Sequence, residues 1–179
     1  MEGWSRSVRS CGGKLLASLS GAEAGQELAL QSRARNQVSN CYDDSDPLLR
    51  DLAAAQELKR SYPHALHRPT NVTYGYNCNG LTFAARRAQI NASSAVRNAL
   101  LEDGYTQVDK QSALPGDIII YVGDAGDVEH SGIVWSQPKS EFFYNFQVLS
   151  KWGTAHEVLH DVGDCPYDST KLEFYRLVK

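Results

Sequence analysis

The sequence lacks long hydrophobic runs and any large excess of charge of one sign. Its longest apolar runs are short segments such as Ile118 to Val122, well below the roughly 18 residues that cross a bilayer. The chain has 18 lysines and arginines against 21 aspartates and glutamates, a net charge of -3, whereas dedicated nucleic-acid-binding proteins carry a clear cationic excess. A membrane span is therefore excluded, and nucleic acid is not an expected partner.

The sequence also lacks a full secretory signal and any metal-binding cysteine pattern. The apolar segment Leu15 to Leu19 is shorter than the roughly 7 to 15 residues of a signal-peptide core. We therefore expect a cytoplasmic protein, or one exported by a secretion system that needs no signal peptide. No C-x-x-C pair and no zinc-ligand spacing occurs among the cysteines, which are Cys11, Cys41, Cys78 and Cys165. No metal and no cofactor is expected.

Residues 1–70 are predicted to form a helical N-terminal region or arm. A weak helical pattern covers residues 22–38, where few large apolar residues occur. Residues 47–61 predict a helix more clearly, because Pro47 suits a first helical turn and leucines and alanines follow at helical spacing. Pro63 and Pro69 then end the helix and favour an extended approach to the next segment.

Residues 71–179 are predicted to form the core. An alanine-rich helix is expected from Cys78 to about Asn91, and a second helix from Ser93 to Asp103, where Gly104 would close it. Four runs rich in β-branched and aromatic residues predict strands, at 116–122, 131–136, 146–152 and 172–178. Helices followed by consecutive strands are typical of the α+β class.

Cys78 is the first candidate for chemistry. It lies in the first turn of its predicted helix, where Asn77 can cap the free backbone N–H groups. These groups and the positive end of the helix dipole favour a thiolate, which is a nucleophile. The alternative is that Cys78 is a small buried hydrophobic residue, as most free cysteines are.

His130 is the second candidate. It follows an acidic loop and begins a predicted strand, so its imidazole could face a groove and act as general base to Cys78 once the fold brings the two together. The alternative is an ordinary surface histidine at a strand edge.

Together these motifs resemble the NlpC-type and CHAP-type branches of the papain-like cysteine hydrolases. The resemblance covers residues 74–152 and rests on a helix-opening Cys78 with Gly80, the strand GDIIIY at 116–121, and HSGIV at 130–134. The family motifs run Asp-Cys-Ser-Gly, then Gly-Asp before a hydrophobic strand, then His-hydrophobic-Gly-Ile. Three positions depart from this pattern and indicate a divergent member: Asn77 stands for Asp, Asn79 for Ser, and Ser131 for Val or Ala.

The resemblance implies roles for several residues. Cys78 would be the nucleophile and His130 the base, and a third polar residue on the next strand would orient the imidazole. If that strand pairs antiparallel with the His130 strand, Ser150 and Trp152 share one face and Lys151 lies on the other. The orienting group would be Ser150 or His160.

The remaining candidates would contact the substrate. The Cys78 N–H is the natural first donor to an oxyanion, and Tyr74 or Tyr76 could supply the second. Ordinary packing is an equally good interpretation of both tyrosines. We include them among the expected binding residues, which are Tyr74, Tyr76, Asn77, Lys151 and Trp152.

One further motif suggests a different hydrolase. His156, Glu157 and His160 match H-E-x-x-H, a zinc motif that must lie on a helix. Gly153 before it and Asp161 after it leave room for barely two turns. A surface turn between strands is the alternative interpretation.

The sequence thus predicts a cysteine-dependent peptide or amide hydrolase with a Cys-His pair. Relatives of this kind often cleave peptide bonds of the bacterial cell wall, so the most concrete version is a peptidoglycan peptidase or amidase, including a delivered antibacterial toxin. Its partners would be a peptide or amide substrate and an immunity or inhibitor protein. The alternative class is an inactive papain-like binding module, for which Cys78 is buried or His130 lies too far from it.

Overall fold

A computed structural model describes residues 25–137 and 146–178. Three α-helices pack on one seven-stranded antiparallel sheet, which confirms the α+β class. The helices are α1 (Leu49–Ser61), α2 (Cys78–Phe83) and α3 (Ser93–Glu102). The strands are β1 (Leu66–His67), β2 (Tyr105–Val108), β3 (Ile118–Val122), β4 (Val128–Ser136), β5 (Gln147–Lys151), β6 (Glu157–Asp161) and β7 (Leu172–Leu177). Their order across the sheet is β1-β6-β5-β4-β3-β7-β2.

Both faces of the sheet are covered, because alternate residues of the central strand β3 supply two apolar clusters. Ile118 and Ile120 belong to the cluster that packs against α3, on the face that also carries α2. Ile119 and Tyr121 belong to the other cluster, against which Leu58 of α1 packs. We call these the α2 face and the α1 face.

Two of the predicted helices are confirmed, and the predicted end of a third needs correction. α1 and α3 occupy the expected segments, and α3 closes at Gly104 with φ 81°. α2 ends at Phe83 instead of about Asn91, because Ala85 and Arg86 adopt positive φ.

The predicted helix at 22–38 is wrong over its described residues 25–38. That segment forms backbone bridges, and the N–H of Val38 donates to the carbonyl of Leu30. The side chain of Asn40 supports this loop by accepting from the N–H of Leu28 and donating to its carbonyl. Residues 22–24 lie outside the described residues.

All four predicted strands are present, as β3, β4, β5 and β7. Strands β1, β2 and β6 were not predicted. β1 has only two residues and β2 has two exposed polar positions at the edge of the sheet, so neither shows a strong strand pattern. Within 25–137 and 146–178, no helix has both the length and the apolar character that crossing a membrane requires.

The described part of residues 1–70 packs onto the rest of the chain. β1 pairs with β6, Cys41 forms a backbone bridge with Gln89, and α1 covers the α1 face. Within the described part of residues 1–70, α1 is the only helix. The proposed boundary at residue 70 stays a prediction.

Candidate functional site

Cys78 is the first residue of α2, as the sequence predicts. Asn77 caps this helix, because its side-chain oxygen accepts the N–H of Gly80 at 2.9 Å and that of Ile90 at 3.1 Å. The same amide donates to the carbonyl of Ile90 at 3.1 Å. Asn77 therefore holds the N-terminus of α2 against the segment that follows the helix.

The Cys78 thiol is 7% exposed. Burial raises its pKa above the ordinary value, although hydrogen bonds from the backbone N–H groups of Ser131 and Asn79 and the charge of Lys151 act in the opposite direction. The thiolate expected from the helix N-terminus alone is therefore not the resting form, because the loss of hydration outweighs these donors.

Side chains on the α2 face tie α2 to β4 beside the thiol. The Ser131 hydroxyl donates to Oδ1 of Asn79 at 2.7 Å and approaches Oγ1 of Thr82 at 3.1 Å. The Asn79 amide donates to the carbonyl of Ile90 at 2.8 Å. Asn79 and Ser131, two of the positions that depart from the family pattern, are hydrogen-bonded to each other.

His130 projects to the α1 face, opposite to Ser131. It is the cross-strand partner of Tyr121, and its ring stacks on Tyr167 with the centroids 3.7 Å apart. Its side chain is fully buried, and neither ring nitrogen has a hydrogen-bond partner. Burial lowers the pKa of His130 well below its usual range, so the imidazole is neutral near pH 7. No hydrogen bond joins His130 to Cys78.

The two candidate orienting groups bind each other. β5 pairs antiparallel with β4, and Ser150 lies opposite Gly132. Because Nδ1 of His160 donates to the carbonyl of Asp161 at 2.8 Å, Nε2 accepts from the Ser150 hydroxyl at 2.9 Å. Neither Ser150 nor His160 is hydrogen-bonded to His130.

Lys151 lies on the other side of the sheet, as the alternation predicts. Its side chain is fully buried, its ammonium donates to the carbonyl of Ala155, and it lies 4.9 Å from the ring centroid of Tyr76. Burial lowers the pKa of Lys151 to about 8, although the negative charge of Glu157 acts in the opposite direction. Lys151 is therefore the cation that favours a Cys78 thiolate.

Glu157 is the centre of a network that the sequence did not indicate. It is 1% exposed and accepts from the phenol of Tyr76 at 2.8 Å, from Arg68 at 3.2 Å and from both Nε and Nη2 of Arg86. Burial opposes its charge, but these hydrogen bonds and cations together keep the pKa of Glu157 below its ordinary value. Burial and Glu157 raise the pKa of Tyr76 to about 12.

Tyr74 and Trp152 have other neighbours. The Tyr74 phenol donates to the carboxylate of Asp51, so it fixes the first turn of α1. Trp152 is buried on the α1 face between the rings of His67 and His160, and its indole N–H has no partner. The structure therefore brings Tyr76 and Lys151 to the α2 face near Cys78, and leaves Tyr74 beside α1.

Tyr167 was not predicted as a site residue. It stacks on His130, and it also interacts electrostatically with Cys78. It follows Cys165 and Pro166 in the irregular segment between β6 and β7. No periodicity or motif marks it, so only the fold reveals that it stacks on His130.

The zinc motif does not form a helix. Glu157 and His160 lie in β6, and Nδ1 of His156 is hydrogen-bonded to the carbonyl of Thr70. In the part of the chain that the structure describes, no group of three or more His, Cys, Asp or Glu side chains is arranged to hold a metal ion. The helix on which the zinc interpretation depended is therefore a strand, and Glu157 is held by Tyr76 and arginines.

Comparison of the chain with protein-family models, curated proteins and solved structures finds no match.

Proposed function

We propose that this protein is a cysteine-dependent amide or peptide hydrolase with Cys78 as the nucleophile. The observation that supports it best is the position of the thiol at the start of α2, where the backbone N–H groups of Ser131 and Asn79 hydrogen-bond to the sulfur. Donors held in this way stabilise negative charge on a thiolate or on a developing oxyanion.

His130 is the proposed base. Its lowered pKa leaves it neutral, and its unpaired nitrogens leave a lone pair free to accept a proton. It is the neighbour of Ser131, whose N–H reaches the sulfur. His130 projects to the α1 face, and no hydrogen bond joins its imidazole to the Cys78 thiol in the resting protein. The proposed cycle therefore requires the imidazole to leave its stack on Tyr167 and to reach the thiol beside the α2 face when substrate binds.

The proposed reaction has two steps. His130 takes the thiol proton while the sulfur of Cys78 bonds to the amide carbon, and the carbonyl electron pair moves to oxygen. The C–N bond then breaks, and the leaving amine takes the proton from the imidazolium. A water molecule next attacks the thioester, which releases a carboxylic acid and restores the thiol.

The resemblance to NlpC-type and CHAP-type enzymes extends this proposal to substrate and context. It favours a papain-like core, a cell-wall peptide as substrate, and an antibacterial effector as the biological role. In that role the protein stays in the cytoplasm or leaves without a signal peptide, and residues 1–70 offer a surface for an immunity or inhibitor protein.

A second candidate is a papain-like binding module without catalytic activity. Two observations favour it: Cys78 is 7% exposed with a raised pKa, and His130 is not hydrogen-bonded to it. Under this proposal the buried thiol is a packing group, and the polar network around Glu157 supports a binding surface.

The experiment compares Cys78→Ala with Cys165→Ala, because Cys165 is also free and buried. Purified peptidoglycan is incubated with each protein, and new amine groups are counted. In parallel, iodoacetamide labelling of the wild type is measured by mass spectrometry across pH. We expect Cys165→Ala to retain activity, Cys78→Ala to lose it, and Cys78 to label faster than Cys165.

A Lys151→Met variant adds a physical control. It removes the cation that favours the Cys78 thiolate, so labelling of Cys78 should slow while that of Cys165 stays the same. The hydrolase proposal fails, and the binding module is favoured, if Cys78 labels no faster than Cys165 and the Cys78→Ala variant releases amine groups from peptidoglycan as the wild type does.

A further inference from the structure

More positive than negative charge surrounds the buried carboxylate of Glu157. Arg86 binds both of its oxygens and Arg68 binds one. Lys151 is the cross-strand partner of Glu157 in the pairing of β5 with β6. Three cations thus face one carboxylate, and one carboxylate cannot neutralise all of them.

The excess charge is accessible from solvent. The side chains of Arg68 and Arg86 are 43% and 46% exposed, whereas that of Glu157 is 2% exposed. Glu157 therefore lies beneath the guanidinium groups and holds them from the protein side. A guanidinium has five N–H donors, so Arg68, which gives one nitrogen to Glu157, keeps donors for an external group.

The backbone at Arg86 is held in an unusual conformation. Ala85 and Arg86 have φ of 48° and 66°, a region that is unfavourable for a non-glycine residue. The N–H of Arg86 donates to the carbonyl of Gly80, and this contact fixes the turn after α2. The fold therefore presents the Arg86 guanidinium in a set direction.

This cluster adjoins the proposed nucleophile. Tyr76, which donates to Glu157, precedes Cys78 by two positions. Lys151 lies over the Tyr76 ring and interacts electrostatically with both Glu157 and Cys78. A ligand anion on the outer side of the two arginines would therefore lie on the same side of the sheet as Lys151, the cation that favours the Cys78 thiolate.

We propose that Arg68 and Arg86 form a carboxylate-binding subsite, and that the substrate is a peptide with a free carboxylate close to the bond that is cleaved. The planar guanidinium matches a carboxylate in two-point geometry, and Arg86 already makes this contact with Glu157. The substrate assignment rests on the proposed hydrolase function, whereas the anion site itself does not.

The test measures binding to the full-length protein by ligand-observed NMR. The probes are glutarate, its neutral counterpart glutaramide, and inorganic phosphate. We expect glutarate to bind and glutaramide not to bind. Arg68→Gln and Arg86→Gln should each weaken glutarate binding by about 10-fold, since each removes a charge-assisted hydrogen bond. The matched control is Arg60→Gln on α1, because Arg60 is 71% exposed and pairs with Glu57, and it should bind glutarate as the wild type does.

Several results would overturn the proposal. These are equal binding of glutaramide, unchanged binding in both arginine variants, or tighter binding of phosphate than of glutarate. If circular dichroism shows that Arg86→Gln does not fold, Arg68→Gln carries the test, because Arg68 makes a single side-chain hydrogen bond to Glu157.

The outcome is separable from that of the hydrolase proposal because binding requires no turnover. A Cys78→Ala variant that is inactive but binds glutarate supports both proposals. Turnover of peptidoglycan by a wild-type protein that does not bind glutarate would remove the subsite and leave the hydrolase in place.

Discussion

The ring of Tyr167 lies flat on the imidazole of His130, with the centroids 3.7 Å apart and the planes 8° from parallel. The stack uses the faces of both rings and leaves the two His130 nitrogens without partners in a fully buried position. A buried polar group without a hydrogen bond costs about 1 to 3 kcal/mol. The stack therefore stabilises the buried ring, whereas the unpaired nitrogens of the same ring destabilise the fold. Functional sites commonly contain groups that lower the stability of the fold in this way.

His130→Phe should separate stability from activity. Phenylalanine keeps the stack on Tyr167 and removes both unpaired nitrogens, so the free energy of unfolding should stay the same or rise by about 1 kcal/mol. Hydrolase activity should be lost, because the proposed base is gone. Urea unfolding followed by circular dichroism measures the first effect, and amine release from peptidoglycan measures the second.

His160→Phe is the matched control, because both nitrogens of His160 are hydrogen-bonded. This change leaves Ser150 and a carbonyl unpaired and should lower the free energy of unfolding by about 2 kcal/mol. A greater loss for His130→Phe than for His160→Phe would contradict the assignment of unpaired nitrogens.

The stability of the protein should decrease on mild acidification. In the folded state the pKa of His130 lies well below its usual range because the ring is buried, whereas the pKa of an unfolded histidine is about 6.5. Below that pH His130 binds a proton in the unfolded chain but not in the folded protein. The contribution of the neutral imidazole to the free energy of unfolding is therefore complete above about pH 6.5 and declines as the pH falls. The slope for His130 is at most about 1.4 kcal/mol per pH unit.

Urea unfolding between about pH 7.5 and pH 5 measures this slope. Burial also lowers the pKa of His160 and of His67, so the wild-type slope includes all three histidines. His130→Phe should reduce the slope of the free energy of unfolding against pH by the amount that one bound proton contributes. An unchanged slope in this variant would show that the pKa of His130 is the same in the folded and the unfolded protein.

The sequence predicted the elements with strong local patterns. The spacing of apolar residues identified α1 and α3, and β-branched runs identified the four strands β3, β4, β5 and β7. Asn77 and Cys78 were located correctly because a helix cap depends on residues within one turn. These features need no information about distant parts of the chain.

The details of the site depend on long-range geometry that local patterns do not contain. Strand register puts Ser131 on the α2 face and His130 on the α1 face. Glu157 meets Arg68 across 89 positions of the chain, and Arg86 across 71. Tyr167 reaches His130 only through the path of an irregular segment. Neither the spacing of charges nor the family resemblance indicated these contacts.

Glu157→Gln should destabilise the protein by about 2 kcal/mol. The change removes the charge that Arg68 and Arg86 share, and the loss is smaller than for a fully buried ion pair because both arginines are half-exposed. Urea unfolding near neutral pH gives the value. The control is Glu57→Gln, since Glu57 forms an exposed pair with Arg60, and it should cause no measurable change. Equal effects of the two variants would contradict a structural role for Glu157.

Gly80 should not tolerate a side chain. A Cβ at this position would lie 1.8 Å from the carbonyl oxygen of Ala88, so Gly80→Ala must displace the backbone that follows α2. This displacement would break the contact between the Arg86 N–H and the Gly80 carbonyl and shift the helix that begins with Cys78. We expect a loss of about 3 kcal/mol in the free energy of unfolding.

Gly163→Ala provides the comparison for Gly80→Ala. A Cβ at Gly163 would have Oγ of Ser169 as its nearest neighbour, at 3.7 Å, which is an ordinary contact distance. Thermal and urea unfolding of the two variants should therefore differ by the steric cost at Gly80 alone. Iodoacetamide labelling adds a readout at the site, because a shifted α2 exposes the Cys78 thiol and should speed its alkylation relative to Cys165 in the Gly80→Ala protein. Equal stability and equal labelling in the two variants would show that the turn after α2 adapts freely, and that the close contact with Ala88 does not hold Cys78 in position.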